Sequence, residues 1–165
     1  MLPATVIIAL GSNRCCRHGR PAETLRAALT ALTRAGLCVE RVSPIMTTRA
    51  VGPGGRDYAN AVAVTSSALD PARILIILKD IERAFGRRRG RRWGDRVLDL
   101  DLIAAGRAML PSRLGWRRAK GLVVPHRAMH ARPFVLRPML AVAPNWRHPV
   151  LNLTTRQLAA RLGRC

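Results

Sequence analysis

A chain of 165 residues has room for one core of ordinary size, and a single domain spanning 1–165 is expected. Hydrophobic residues make up 48% of it, so a globular chain is expected rather than a disordered one, and no run approaches the roughly 20 apolar residues of a helical bilayer span. Lys and Arg number 29 against 9 Asp and Glu, a net charge of +20, which points to anionic partners: nucleic acid, acidic lipid or a small polyphosphate.

The first element is a buried strand over Val6–Leu10, β-branched and stopped by Gly-Ser-Asn. The apolar run at 2–10 lacks the basic residues that precede a signal peptide core, so it is read as this strand. The adjacent Cys15 and Cys16, with Cys38 and Cys165, lack paired metal-site spacing and are expected as reduced thiols of a cytoplasmic protein. Leu25, Ala28, Leu29 and Leu32 recur at helical spacing, predicting a helix over Ala22–Ala35 closed by Gly36. Val39–Thr47 then reads as a strand, residues 49–57 as a Gly/Pro-rich loop, and Tyr58–Thr65 as another strand. Asp70-Pro71 is an N-cap followed by proline at the first helical position, opening a helix to about Phe85. An arginine loop follows Gly86, then a strand over Val97–Ile103, a turn-rich stretch at 106–121, and helices near Phe134–Val142 and Thr154–Leu162. The order predicts an α+β fold: a ferredoxin-like βαββαβ sandwich, its antiparallel-rich sheet covered by helices, with a C-terminal helical extension.

Six of the ten residues from Arg87 to Arg96 are arginine, and three residues later Asp99 and Asp101 flank a single leucine. In a strand, Asp99 and Asp101 point to one side with Cα atoms roughly 6.5–7 Å apart, while Leu98, Leu100 and Leu102 face the core. Two carboxylates on one face repel unless a cation lies between them. Oxygen ligands suit Mg²⁺, which takes one or two carboxylates plus substrate phosphates, and a pair of ions bridging a phosphate chain suits them equally. Guanidinium groups bind phosphate oxygens bidentately, so the arginine loop complements the same ligand. Its glycines allow closure over a nucleotide, and Trp93 offers an aromatic face. Walker-type and protein-kinase phosphate motifs are absent.

These residues resemble a known family. IERAFGRRRGRRWGDRVLDLDLI is similar to the signature of the 6-hydroxymethyl-7,8-dihydropterin pyrophosphokinases of folate biosynthesis. ALGSN at 9–13, VGPGGRDYANAV at 51–62 and VPHRAMHARPFVLRPMLAVAP at 124–144 resemble three further segments of that family, in order. The resemblance implies transfer of the β,γ-pyrophosphate of ATP to the pterin hydroxymethyl group, with release of AMP. It implies that Asp99 and Asp101 hold two Mg²⁺ ions and that Arg87 and Arg96 stabilise developing charge. Arg89, Arg92 and Trp93 would hold the nucleotide, His126 and Arg132 its phosphates, and Glu82 would support that site from its helix. Tyr58, Asn60 and Phe134 would form the pterin slot, with Thr48 and Val51 lining it. A monomer acting on ATP and the pterin, with no membrane partner, is the expectation.

Four features depart from the family pattern. Asp95 replaces a proline, with Arg92 or Arg96 as the expected counter-charge. Thr48-Arg49-Ala50 replaces a Thr-x-Pro-like approach, and Gly121 and Val123 replace polar residues. The segment from Leu102 to Val123 is longer than usual, with Arg117, Arg118 or Lys120 available as an extra phosphate contact. Two readings compete with the pyrophosphokinase. One is a basic nucleic-acid-binding protein on an enzyme-like fold, its contacts non-specific; the other is a Mg²⁺-dependent nuclease using the same aspartates. Carboxylates beside the arginines count against the first, and the want of a further carboxylate cluster counts against the second.

Overall fold

The computed structural model describes residues 2–49, 55–86 and 95–163. Its chain order is β1 (Ala4–Ser12), α1 (Pro21–Arg34), β2 (Cys38–Val42), β3 (Met46–Thr48), β4 (Tyr58–Ser67), α2 (Pro71–Ala84), β5 (Asp99–Ala105), a single 3-10 turn (Met129–Ala131), α3 (Pro133–Val142) and α4 (Thr155–Leu162). The five strands form one sheet in the order β2-β4-β1-β5, with β3 also paired to β4 and every pairing antiparallel. With β2 and β3 counted as one interrupted strand, this is the expected βαββαβ topology, followed by the helical extension.

Strand periodicity divides the core into two layers. Val6, Ile8 and Leu10 of β1 face α1 and α2, where they meet Leu25, Ala28, Leu32, Ile74 and Leu78. Ile7 and Ala9 face the other way, toward Val135, Leu136 and Met139 of α3 and Leu158 of α4. Successive side chains of a strand point to opposite faces, so a nearly continuous apolar run is what a sheet covered on both sides requires. Leu98, Leu100 and Leu102 lie in the α1/α2 layer, as expected, and Asp99 and Asp101 therefore open toward the α3 side.

The helix boundaries follow local chemistry. The Asp70 carboxylate accepts hydrogen bonds from the backbone of Ala72 (2.9 Å) and Arg73 (3.0 Å), capping α2 ahead of Pro71. Gly86 closes that helix at φ 95°, a conformation that side chains with a Cβ rarely adopt, and the arginine loop begins there. The single strand expected over Val39–Thr47 is two strands. Pro44 has no N–H for the ladder, and Ser43 turns its own groups onto Val62, donating from its backbone (2.9 Å) and accepting at Oγ (3.0 Å).

Candidate active site

The register of the sheet brings distant parts of the sequence into one row. Gly11 of β1 lies between Asn60 of β4 and Asp99 of β5, and Ala9 lies between Val62 and Asp101. Asn60 and Asp99 are thus two strand spacings apart, about 9–10 Å. β1 floors the gap with its two smallest side chains. A Cβ on Gly11 would stand 3.3 Å from Asn60 Oδ1 and 3.8 Å from Tyr58, so glycine permits Asn60 to lie across β1.

On the β4 side, Asn60 is 5% exposed, and its amide donates to Thr48 Oγ1 at 2.6 Å across the β3–β4 ladder. Tyr58 pairs with Thr48 in the same ladder. Three of the expected pterin residues therefore form one cluster, while Val51 lies outside the described residues. Phe134, in the first turn of α3, is half-buried against the α3 layer, and the Arg132 guanidinium sits over its ring at 5.6 Å.

On the β5 side, each aspartate holds an arginine. Arg96 Nη1 donates to Asp99 Oδ2 at 2.8 Å and Arg132 Nη1 to Asp101 Oδ2 at 2.9 Å. The carboxylate side chains are 26% and 29% exposed, so both remain accessible from solvent. Arg132 thus joins the carboxylate pair to the aromatic ring. His126 donates its backbone N–H to Ile103 O (2.8 Å), which holds it alongside β5 within electrostatic reach of Asp101. Burial lowers the His126 pKa; Asp101 opposes that shift, and Arg132 and Arg127 reinforce it. The ring is neutral at pH 7, with Nδ1 accepting from the Ala128 backbone (3.2 Å), so the proton resides on Nε2.

Among the described residues no group of three or more His, Cys, Asp or Glu side chains forms a metal cage. Mg²⁺ keeps waters or phosphate oxygens as most of its ligands and needs one or two carboxylates from the protein. Asp99 and Asp101, one residue apart on one face, fit this demand.

Four supporting residues escaped the reading of the sequence, or were read differently. Asn13, 4% exposed, accepts from the Arg96 backbone at Oδ1 (2.7 Å) and donates to Asp95 Oδ1 (3.0 Å), anchoring the residues that lead into β5. Asp95 also lies 4.0 Å from Arg56, whereas Arg96, one of its two expected counter-charges, reaches Asp99; Arg92, the other, lies outside the described residues. Glu82 is 1% exposed and lies on the α2 side of β5, opposite the aspartates. Its Oε1 accepts from the backbone N–H of Leu100 (2.7 Å) and from Lys79 Nζ (2.8 Å), and Lys79 also donates to Leu100 O at 3.3 Å. β5 is an edge strand, so these side chains satisfy the outward backbone of the residue between the two aspartates. Arg87, Arg89, Arg92 and Trp93 lie outside the described residues.

Residues 7–144 match the family model for 7,8-dihydro-6-hydroxymethylpterin-pyrophosphokinase. The chain belongs to that family. It is 39% identical over 153 residues to the 2-amino-4-hydroxy-6-hydroxymethyldihydropteridine pyrophosphokinase of Synechocystis, covering 92% of this chain and 73% of that one. The enzyme of the same name from Haemophilus influenzae is 37% identical over 141 residues, covering 84% and 81%. A mitochondrial folate synthesis bifunctional protein of Arabidopsis thaliana is 36% identical over 136 residues, 82% of this chain but 23% of that protein. The fold matches the crystal structure of Plasmodium falciparum HPPK-DHPS with a TM-score of 0.70 at 13% identity, over 97% of this chain and 45% of that one. This chain therefore spans less than half of that structural relative.

Proposed function

We infer that the protein transfers the β,γ-pyrophosphoryl group of ATP to the hydroxymethyl oxygen of 6-hydroxymethyl-7,8-dihydropterin, releasing AMP, in folate biosynthesis. The observation that carries this reading is one sheet face bearing an amide-and-aromatic cluster and a carboxylate pair about 9–10 Å apart, within a chain of this family. The pterin would lie between Phe134 and Tyr58, with its ring edge hydrogen-bonded to Asn60, and Thr48 and Val51 lining the slot.

Asp99 and Asp101 would hold two Mg²⁺ ions. Bound there, magnesium would neutralise polyphosphate charge and polarise the transferred group. Arg132, already between Asp101 and Phe134, would bridge the phosphate chain to the pterin, and the His126 Nε2–H would donate to a phosphate oxygen. Arg96 would follow the negative charge as it moves toward the leaving AMP, together with Arg87. Arg89, Arg92 and Trp93 would hold the nucleotide. Glu82 would support the nucleotide site from its helix and, with Lys79, keep the aspartates in register from beneath. Such a site lowers the barrier by orientation and fixed charge, which dominate phosphoryl-type transfers, and needs no covalent enzyme intermediate.

The reading includes one domain over 1–165, a monomer and a cytoplasmic location; the free thiols of Cys15, Cys16 and Cys38 suit a reducing compartment. No helix among the described residues is long and apolar enough to cross a membrane. The family match does not favour the nucleic-acid-binding alternative.

The test is incubation of purified protein with ATP, Mg²⁺ and the pterin, resolving AMP, ADP and pterin products. Pterin-dependent AMP without ADP is expected. ADP in its place, or no pterin-dependent product from folded protein, refutes the reading.

A further inference from the structure

Residues 106–123 leave the sheet after β5 and return just before His126. Leu110 and Val124 close this excursion by exchanging both backbone hydrogen bonds, at 2.8 and 3.3 Å. Most of its tip is exposed, Leu114 almost completely, yet Trp116 is 1% exposed and points inward. A turn built on Ser112 presents it: Ser112 O accepts from Trp116 N (2.9 Å) and Ser112 Oγ from Gly115 N (3.1 Å). The indole packs edge-on against buried His148 (5.1 Å) and near His130 (6.0 Å). Its N–H donates to Pro125 O at 2.5 Å.

Pro125 O and the His126 N–H belong to one peptide group, and a peptide group is a rigid plane. The carbonyl end is held by Trp116 and the N–H end by Ile103 O, two residues beyond Asp101. The two hydrogen bonds together fix the tilt of that plane, and hence where the His126 side chain leaves the backbone. The Ala128 contact at Nδ1 then sets the ring rotation.

We propose that Trp116 is a positioning residue, and that its indole N–H, by holding the Pro125 carbonyl, orients the His126 imidazole beside β5 for polyphosphate binding. The proposal rests on the reading of His126 as a phosphate contact. It assigns the excursion a task as a brace, in which its inward aromatic matters more than its exposed Arg117, Arg118 and Lys120. A buried Trp makes packing contacts wherever it sits, but packing alone does not couple to one histidine. The distinguishing quantity is therefore the coupling between the two residues.

The experiment measures dissociation constants of Mg²⁺–α,β-methylene-ATP and, separately, of the pterin by calorimetry, for the wild type, Trp116→Phe, His126→Ala and the double variant. Thermal unfolding confirms that each is folded. Phe keeps an aromatic body and removes the N–H. Loss of one hydrogen bond predicts about fivefold weaker nucleotide binding in Trp116→Phe, with pterin binding unchanged. The double variant should match His126→Ala alone. An unchanged nucleotide constant in Trp116→Phe, where His126→Ala weakens it, overturns the positioning role and leaves the phosphate reading standing. An equal effect of Trp116→Phe with and without His126 overturns it too, as does an equal loss of pterin affinity. No effect of His126→Ala removes the phosphate reading itself. Should Trp116→Phe fail to fold, benzothienylalanine at 116 replaces the N–H by sulfur at nearly constant shape, with the same outcomes.

Discussion

Acidification should destabilise this protein through one buried ring. His148 is 0% exposed, and its Nδ1 accepts from the backbone N–H groups of Val150 (3.2 Å) and Leu151 (3.1 Å). Its Nε2 finds no hydrogen-bond partner among the described residues. Burial, aided by the nearby His130, lowers its pKa to about 4 from the ordinary 6.5. Protonation would also set an Nδ1–H against two backbone donors. The folded state therefore refuses a proton that the unfolded chain accepts below pH 6.5, so stability is fully present above that pH and is lost as pH falls toward 4. The difference of 2.5 between the two values corresponds to about 3 kcal/mol in full, of which about 2.5 kcal/mol is gone by pH 4.5. Urea unfolding of the wild type and His148→Asn at pH 7 and 4.5 isolates this contribution. Asparagine retains an acceptor for the two N–H groups and does not titrate. The wild type should lose about 2.5 kcal/mol more than the variant over that interval, since carboxylate effects common to both cancel. Equal losses in the two proteins would refute the assignment.

The clamp beneath the aspartates and the floor between the two clusters make separate predictions. Glu82→Ala leaves the Leu100 N–H and Lys79 without their shared carboxylate and should cost about 1–3 kcal/mol in urea unfolding, with Glu82→Gln costing markedly less. A loss under 1 kcal/mol in Glu82→Ala would contradict the clamp. Gly11→Ala places a methyl 3.3 Å from Asn60 Oδ1 and should raise the KM for the pterin about tenfold with the KM for ATP little changed; the reverse pattern would show that Gly11 does not floor the pterin side. Asn13→Ala removes the acceptor for Arg96 N and the donor to Asp95, and should lower kcat about tenfold while leaving pterin affinity intact, as steady-state kinetics and pterin titration would show.

Much of this fold was legible because it rests on short-range chemistry. The β-branched run of β1, the Asp70-Pro71 cap, and the helical spacing of Leu25, Ala28 and Leu32 each specify an element within a few residues. The interruption at Ser43–Pro44 was missed since Ser43 remains paired to Val62, and the alternation on either side reads as one strand. The one-sided aspartates were legible from period 2 alone, and most of the other candidate site residues were proposed from the family's motifs. What could not be read were contacts whose partners are remote or are backbone atoms. Asn13 meets Asp95 82 positions away, Lys79 reaches a carbonyl 21 away, and Trp116 holds the Pro125 carbonyl within an excursion that has no periodic pattern. Composition did carry a hint for two of them. Lys79 is one of two lysines in a chain of 27 arginines, and Trp116 is one of six aromatics. The hydrogen bond of Glu82 to the Leu100 backbone was likewise unreadable, because a helix position alone does not say on which side of β5 the carboxylate emerges.

The most direct test follows a labelled phosphate. Wild type and Asp101→Ala are incubated with ATP labelled at the γ-phosphorus, Mg²⁺ and 6-hydroxymethyl-7,8-dihydropterin, and pterin binding is titrated in parallel. The wild type should carry the label into a pterin diphosphate with one AMP for each product. Asp101→Ala should bind pterin normally and lose at least about a thousandfold in turnover. Undiminished turnover in Asp101→Ala, or label released as orthophosphate with ADP, would contradict the account.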